Sequence, residues 1–122
     1  MIIKDIKKCV YFTAMDETVL CELLHPQKDL NKLKMDFSIA HAVLESGKSS
    51  KPHRLVNSIE IYYILEGDGH IHINGEEAFV HKGQAVYIPE NTVQWIENIG
   101  NKNLKFLCMV SPPWSADNEE LI

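Results

Sequence analysis

The sequence predicts an all-β domain, a sandwich or barrel of short strands. Three observations carry this expectation. Short apolar or alternating runs recur at spacings of 8 to 12 residues from about residue 33 onward, Gly or Asn punctuates the gaps, and helix-period patterns are nearly absent there. The length of 122 residues allows one domain with one core, so the chain reads as a single domain over 1–122 with its barrel core at about 18–111.

The elements follow in order. Val10-Tyr11-Phe12 and Thr18 to Leu24 read as strands in the less regular first third, with His25-Pro26 as a stop and Gln27 to Lys32 as a polar loop. Leu33 to Leu44 is an apolar run ended by Glu45-Ser46-Gly47, and Ile59 to Leu65 is another, stopped at Gly67-Asp68-Gly69. His70-Ile71-His72-Ile73 alternates strictly and closes on Asn74-Gly75, a dipeptide suited to the two positive φ angles of a type I′ hairpin turn. Ala78 to Val80, Ala85 to Ile88, Val93 to Ile96 and Leu104 to Val110 continue the pattern. Pro112-Pro113 cannot sit inside a ladder, so the barrel is expected to end there, leaving an acidic tail.

Composition narrows the function classes. The net charge is −5 and Arg54 is the single arginine, which leaves no basic stripe for phosphates and argues against a nucleic-acid partner. The N-terminal stretch mixes charges into its apolar residues and no run elsewhere spans a bilayer, so a cytoplasmic protein without membrane attachment is expected. Cys9, Cys21 and Cys108 are odd in number and form no C-x-x-C pair. They read as small buried hydrophobes in a reducing compartment.

Two stretches carry chemistry. Gly47 is followed after five residues by His53, then one residue to Leu55, four to Glu60 and six to Gly67. Gly83 is followed after five residues by Pro89, then one to Asn91, two to Gln94 and three to Asn98. These resemble the paired motifs of the cupin superfamily, G(X)5HXH(X)4E(X)6G and G(X)5PXG(X)2H(X)3N, with Leu55 and Gln94 standing where two histidines would be and Asn91 where a glycine would be. The stretches Glu60–Gly67, Phe106–Pro113 and Cys21–Pro26 also look like those of small single-domain cupins, and the likeness covers roughly residues 18 to 117. It implies a double-stranded β-helix, the jelly-roll barrel of that family.

The resemblance also implies a site. Family ligand positions fall on His53, Leu55, Glu60 and Gln94, where a single divalent metal (Mn, Fe, Ni or Zn) would sit inside the barrel. Leu55 cannot coordinate, and Gln94 offers only a neutral amide oxygen. One reading keeps a metal on His53, Glu60 and Gln94 with water in the remaining positions. The other leaves a pocket lined by Leu55, Tyr62 and Gln94. Tyr62 shares the face of Glu60, two residues away, and presents a phenol to a ligand.

His41 is the third candidate ligand-facing residue. Pointing inward it would complete a two-histidine, one-carboxylate set, and pointing outward it would be an interfacial histidine. Both faces of its run are apolar, so strand parity does not choose. His70 and His72 share one strand face and read as surface histidines, with a metal pair as the alternative, because Ile71 and Ile73 are the natural core residues. Trp95 and Phe106 read as packing aromatics.

The expected function is a cupin barrel that binds a small polar molecule. A metal-dependent enzyme of isomerase or dioxygenase type is the alternative. Pairing of barrels in the family implies a homodimer, which would also cover exposed sheet edges.

Overall fold

A computed structural model describes residues 1–122. It contains eleven strands: β1 (Phe12–Thr13), β2 (Val19–Leu24), β3 (Ser38–Leu44), β4 (His53–Leu55), β5 (Ile59–Glu66), β6 (Asp68–Ile73), β7 (Glu76–His81), β8 (Ala85–Ile88), β9 (Gln94–Asn98), β10 (Leu104–Ser111) and β11 (Glu119–Leu121). The only helical pieces are single 3-10 turns at Ile6–Lys8 and Ala116–Asn118. No helix is long and apolar enough to cross a membrane.

Two antiparallel sheets face each other. One runs β1-β2-β3-β10-β5-β8 and the other β11-β4-β9-β6-β7. Strand β10 is the clearest product of the sequence. Leu104, Phe106, Cys108 and Val110 are buried while the residues between them are half-buried, the period of two that a strand with one core face demands. It is paired on both sides, with β3 and with β5. Phe106, Ile64, Ile88, Ile96 and Leu104 are fully buried between the sheets.

The expected hairpin forms as read. Asn74 and Gly75 have φ of 49° and 86°, and Ile73 pairs with Glu76 across the turn. The turn after β5 depends on glycine for a second reason. Gly67 has φ of 91°, and a Cβ there would meet the Asn103 carbonyl oxygen at 2.7 Å. Ile71 points into the core, and His70 and His72 point out.

Three expectations change. The run from Leu33 yields a strand only from Ser38, because the partner strand β10 runs out of ladder at Val110 opposite Ser38, just before the two prolines. The acidic tail does not leave the barrel: after the prolines the chain returns, and β11 pairs with β4, Glu119 opposite Leu55 and Leu121 opposite His53. Cys9 and Cys21 are joined in a disulfide with Cα atoms 6.0 Å apart, within the usual range, where unpaired thiols were expected; Cys108 is free and buried. The pairing escaped the sequence reading because nothing in the spacing reveals that the N-terminal segment folds back over β2.

Candidate functional site

The inward side chains at one end of the barrel enclose a cavity of about 30 Å³, room for about two waters. Its lining brings together Asp16, Thr18, Glu22, His53, Glu60, Tyr62, Cys108, Trp114 and Glu119. Polar lining residues on this scale are unusual for a core, and Asp16, His53, Glu60 and Glu119 are all buried.

His53 is held from behind. Its Nδ1 lies 2.7 Å from the Lys51 carbonyl oxygen, which can only accept, so the proton is on Nδ1. Its Nε2 then faces the Asp16 carboxylate, 3.3 Å from Oδ2. Asp16 is fixed in turn by the backbone N–H of Thr18 and by the Thr18 hydroxyl, both at 3.0 Å. Glu119 arrives from β11, and one ligand atom each from Asp16, His53 and Glu119 lies within 4.8 Å of the other two. The Oε2 atoms of Glu119 and Glu22 are buried without a hydrogen-bond partner.

A second polar chain crosses the barrel beside this group. The Tyr62 hydroxyl donates to Oε1 of Gln94 at 3.0 Å, and Nε2 of Gln94 donates to Oε1 of Glu60 at 3.0 Å. Tyr62 reaches this position because it stacks obliquely on Phe106, ring centres 4.7 Å apart. Burial pushes the Glu60 carboxyl up to about 8 against the opposing hydrogen bond from Gln94, and the negative charges of Asp16, Glu119 and Glu22 add to the rise. Burial raises Glu119 and Glu22 as well. For Glu119, nearby Asp16 adds to the rise, while His53 and the Trp114 side chain oppose it. The Tyr62 phenol and the Cys108 thiol are also raised, chiefly by burial.

The residues singled out from the sequence therefore separate. His53, Glu60 and Tyr62 line the cavity. Gln94 is buried opposite His53 in the β4–β9 pairing, its amide engaged on both sides by Tyr62 and Glu60. Leu55 is buried on β4, two residues from His53 and on the same strand face. His41 goes to the other side of the sheet. Its neighbours Ala40 and Ala42 belong to the core, whereas His41 lies opposite Cys21 and Leu107, with Nδ1 2.7 Å from the Tyr11 hydroxyl. Burial lowers its pKa, with Lys105 adding to the effect.

The donor set of Asp16, His53 and Glu119 fits a first-row divalent cation. It offers one imidazole whose far nitrogen is oriented by a carbonyl, and two carboxylates, one with an oxygen that has no other partner. Asp16 and Glu119 were not found from the sequence, since both lie outside the motifs. Asp16 lies in the turn between β1 and β2, and no periodicity there fixes where its side chain points.

Comparison with known proteins agrees with this architecture. The family model described as a cupin domain matches residues 40–110. An uncharacterized protein of Methanocaldococcus jannaschii is 39% identical over 113 residues, covering 91% of this chain and 86% of that one. The oxalate-binding protein of Thermotoga maritima is 32% identical over 94 residues, covering 77% of this chain and 75% of the relative. Among solved structures, a Thermotoga maritima protein described as a predicted oxalate decarboxylase superimposes with a TM-score of 0.77 at 26% identity, covering 91% of this chain and 99% of that one. With the barrel, the paired motif stretches and these likenesses in agreement, the chain belongs to the cupin family.

Proposed function

We propose that the barrel holds a divalent cation on Asp16, His53 and Glu119, with Glu60 facing the same cavity, and binds a small polar molecule that meets the cation from the cavity mouth, since the interior has room for about two waters. The observation that carries this reading is the orientation of His53. With its Nδ1 proton fixed on the Lys51 carbonyl, Nε2 is left facing a carboxylate at 3.3 Å, a position that asks for a second proton or a cation between them. A cation also answers the surplus of buried carboxylates and the unpartnered oxygen of Glu119. Mn, Fe, Ni and Zn all suit imidazole with carboxylates. A place for Gln94 among the ligands, as the family positions imply, would require its amide to give up Tyr62 or Glu60.

The acid-lined wall restricts the ligand. The carboxylates disfavour a free anion, so an anionic ligand depends on the cation; the named oxalate-binding relative supports a small chelating acid as that ligand. The decisive experiment is elemental analysis of protein purified without chelator, followed by calorimetric titration of oxalate into the Mn2+-loaded and chelator-stripped forms. The expected result is bound metal of which one equivalent is lost in His53→Ala and in Asp16→Ala, with oxalate heat only in the loaded form. Protein that takes up no metal under supplementation overturns the reading.

Catalysis is the second reading, favoured by one observation. In the metal-free barrel Glu60 is a buried carboxyl whose pKa is pushed up to about 8, which makes it a candidate proton carrier beside the proposed donors. A bound cation would supply Lewis-acid and templating chemistry beside it. Turnover of a small acid that disappears in Glu60→Gln while metal content holds would support this reading. A homodimer is part of the same proposal, supported by the edge strand β1 and by exposed Val10, Phe12 and Val19 near it. Light scattering after size exclusion tests it, a monomeric mass being the contrary result.

A further inference from the structure

The outer face of the β6–β7–β9 sheet carries a second constellation, unconnected with the barrel interior. His70 and His72 project from β6 on the same side. In the pairing, Glu97 of β9 lies opposite His70, and Glu77 of β7 lies opposite His72. Oε1 of Glu97 is 2.7 Å from Nε2 of His72 and 3.4 Å from Nδ1 of His70, so two imidazole nitrogens converge on one carboxylate oxygen. A tetrahedral site with bonds of about 2.0–2.1 Å separates its donor atoms by about 3.3 Å, within the range these contacts span.

A second carboxylate lies near the other nitrogen of each ring. Oε2 of Glu77 stands 3.8 Å from Nε2 of His70 and 3.6 Å from Nδ1 of His72, beyond hydrogen-bond distance, so it adds negative charge beside the pair without fixing either ring. The rings are clamped by stacking. His72 stacks on Trp95 with centroids 4.2 Å apart and planes 7° apart, and His70 stacks on Phe79 at 4.8 Å and 27°. The two imidazoles are only 20% and 15% exposed, unlike freely rotating surface histidines. Neither Glu77 nor Glu97 is paired with a lysine or arginine; their ion-pair contacts are with these histidines alone. Imidazoles coordinate in their neutral form, so the two carboxylates would match the charge of a bound dication.

We propose that His70, His72 and Glu97 form a transition-metal site of the Zn2+ or Cu2+ class on the outer face of the barrel, with Trp95 and Phe79 holding the rings and Glu77 adding negative charge beside them. Three protein donors on rigid, paired strands leave an open coordination position toward solvent, which a water or a donor from another molecule fills.

The test uses the full chain carrying His53→Ala, so that the interior site does not contribute. Zn2+ titrated into this protein by calorimetry binds at one equivalent, and adding His72→Ala or His70→Ala weakens it by about a hundredfold. Cu2+ quenches the Trp95 fluorescence saturably at the same stoichiometry, because the indole lies against a ligand ring, and the quenching disappears with His72→Ala. Absence of saturable Zn2+ binding in the His53→Ala protein, or binding unaffected by His72→Ala, overturns the proposal. If His53→Ala does not fold, the count is made on the unmodified chain. His72→Ala must then remove one equivalent of Zn2+ without touching any bound by the interior, and a count that does not fall overturns the proposal equally.

Discussion

Nε2 of His53 lies 3.3 Å from Oδ2 of Asp16, a contact that joins the second sheet to the loop ahead of β2 in the first. Asp16 also accepts two hydrogen bonds from Thr18, so its two tasks respond differently to substitution. Asp16→Asn keeps an acceptor for Thr18 and removes the charge. Metal affinity is expected to fall by about a hundredfold with a melting temperature close to that of the parent. Asp16→Ala removes both, and is expected to cost about 1–3 kcal/mol in addition, read by urea unfolding of the chelated protein.

Metal bound to the folded chain alone stabilises it by mass action. At a free concentration a hundred times Kd the gain is about 2.7 kcal/mol. A drop in Tm on the order of 10 °C is therefore expected on adding chelator to loaded protein, measured by scanning calorimetry. The part of the drop due to the interior site should be absent in His53→Ala, and in His53→Ala carrying His72→Ala no drop should remain.

In chelated protein, stability should fall as pH rises from about 4.5 to about 8. Glu60 moves from an ordinary 4.5 to about 8 on folding, so the folded chain holds a proton that the unfolded chain has released across that window. The contribution is complete below the lower value and lost above the upper one. Glu119 and Glu22 are shifted the same way by burial. Glu60→Gln should reduce the slope between these limits and leave the part due to Glu119 and Glu22, as followed by Tm at half-unit pH steps.

Two glycines test the backbone argument. Gly67 and Gly75 both have positive φ, 91° and 86°, but a Cβ at Gly75 meets nothing within 4 Å whereas one at Gly67 meets the Asn103 carbonyl oxygen at 2.7 Å. Gly75→Ala is expected to cost about 1–2 kcal/mol for the left-handed backbone alone. Gly67→Ala should cost clearly more, since the obstacle is backbone on the neighbouring turn. Chemical denaturation of the pair measures the difference.

The disulfide gives a direct chemical prediction. Protein denatured without reductant should expose one reactive thiol, Cys108, and three after reduction. Three thiols before reduction would contradict the pairing.

The barrel was legible because its local signals agree with one another. The Asn74-Gly75 turn, the alternation of β10 and the glycine at 67 each encode a short-range requirement that the fold then meets. The site was legible only where the motif spacing reached. His53 and Glu60 sit on the inner faces of their strands as alternation requires. Asp16 and Glu119 come from a loop and a returning tail whose direction no periodicity specifies. The direction of His41 was hidden for a physical reason. The N-terminal segment covers the outer face of β3, bringing Cys9 to Cys21 and Tyr11 to His41, so that face is apolar as well.

The family match begins at residue 40 and stops at residue 110. Asp16 and Glu119 lie on either side of it, so two of the three side chains facing one another in the cavity belong to the parts of the chain that the shared barrel does not define. In the proposed site the barrel is the chassis, and two of its three donors are supplied by the flanks. A fragment trimmed to the matched boundaries would lose both acids.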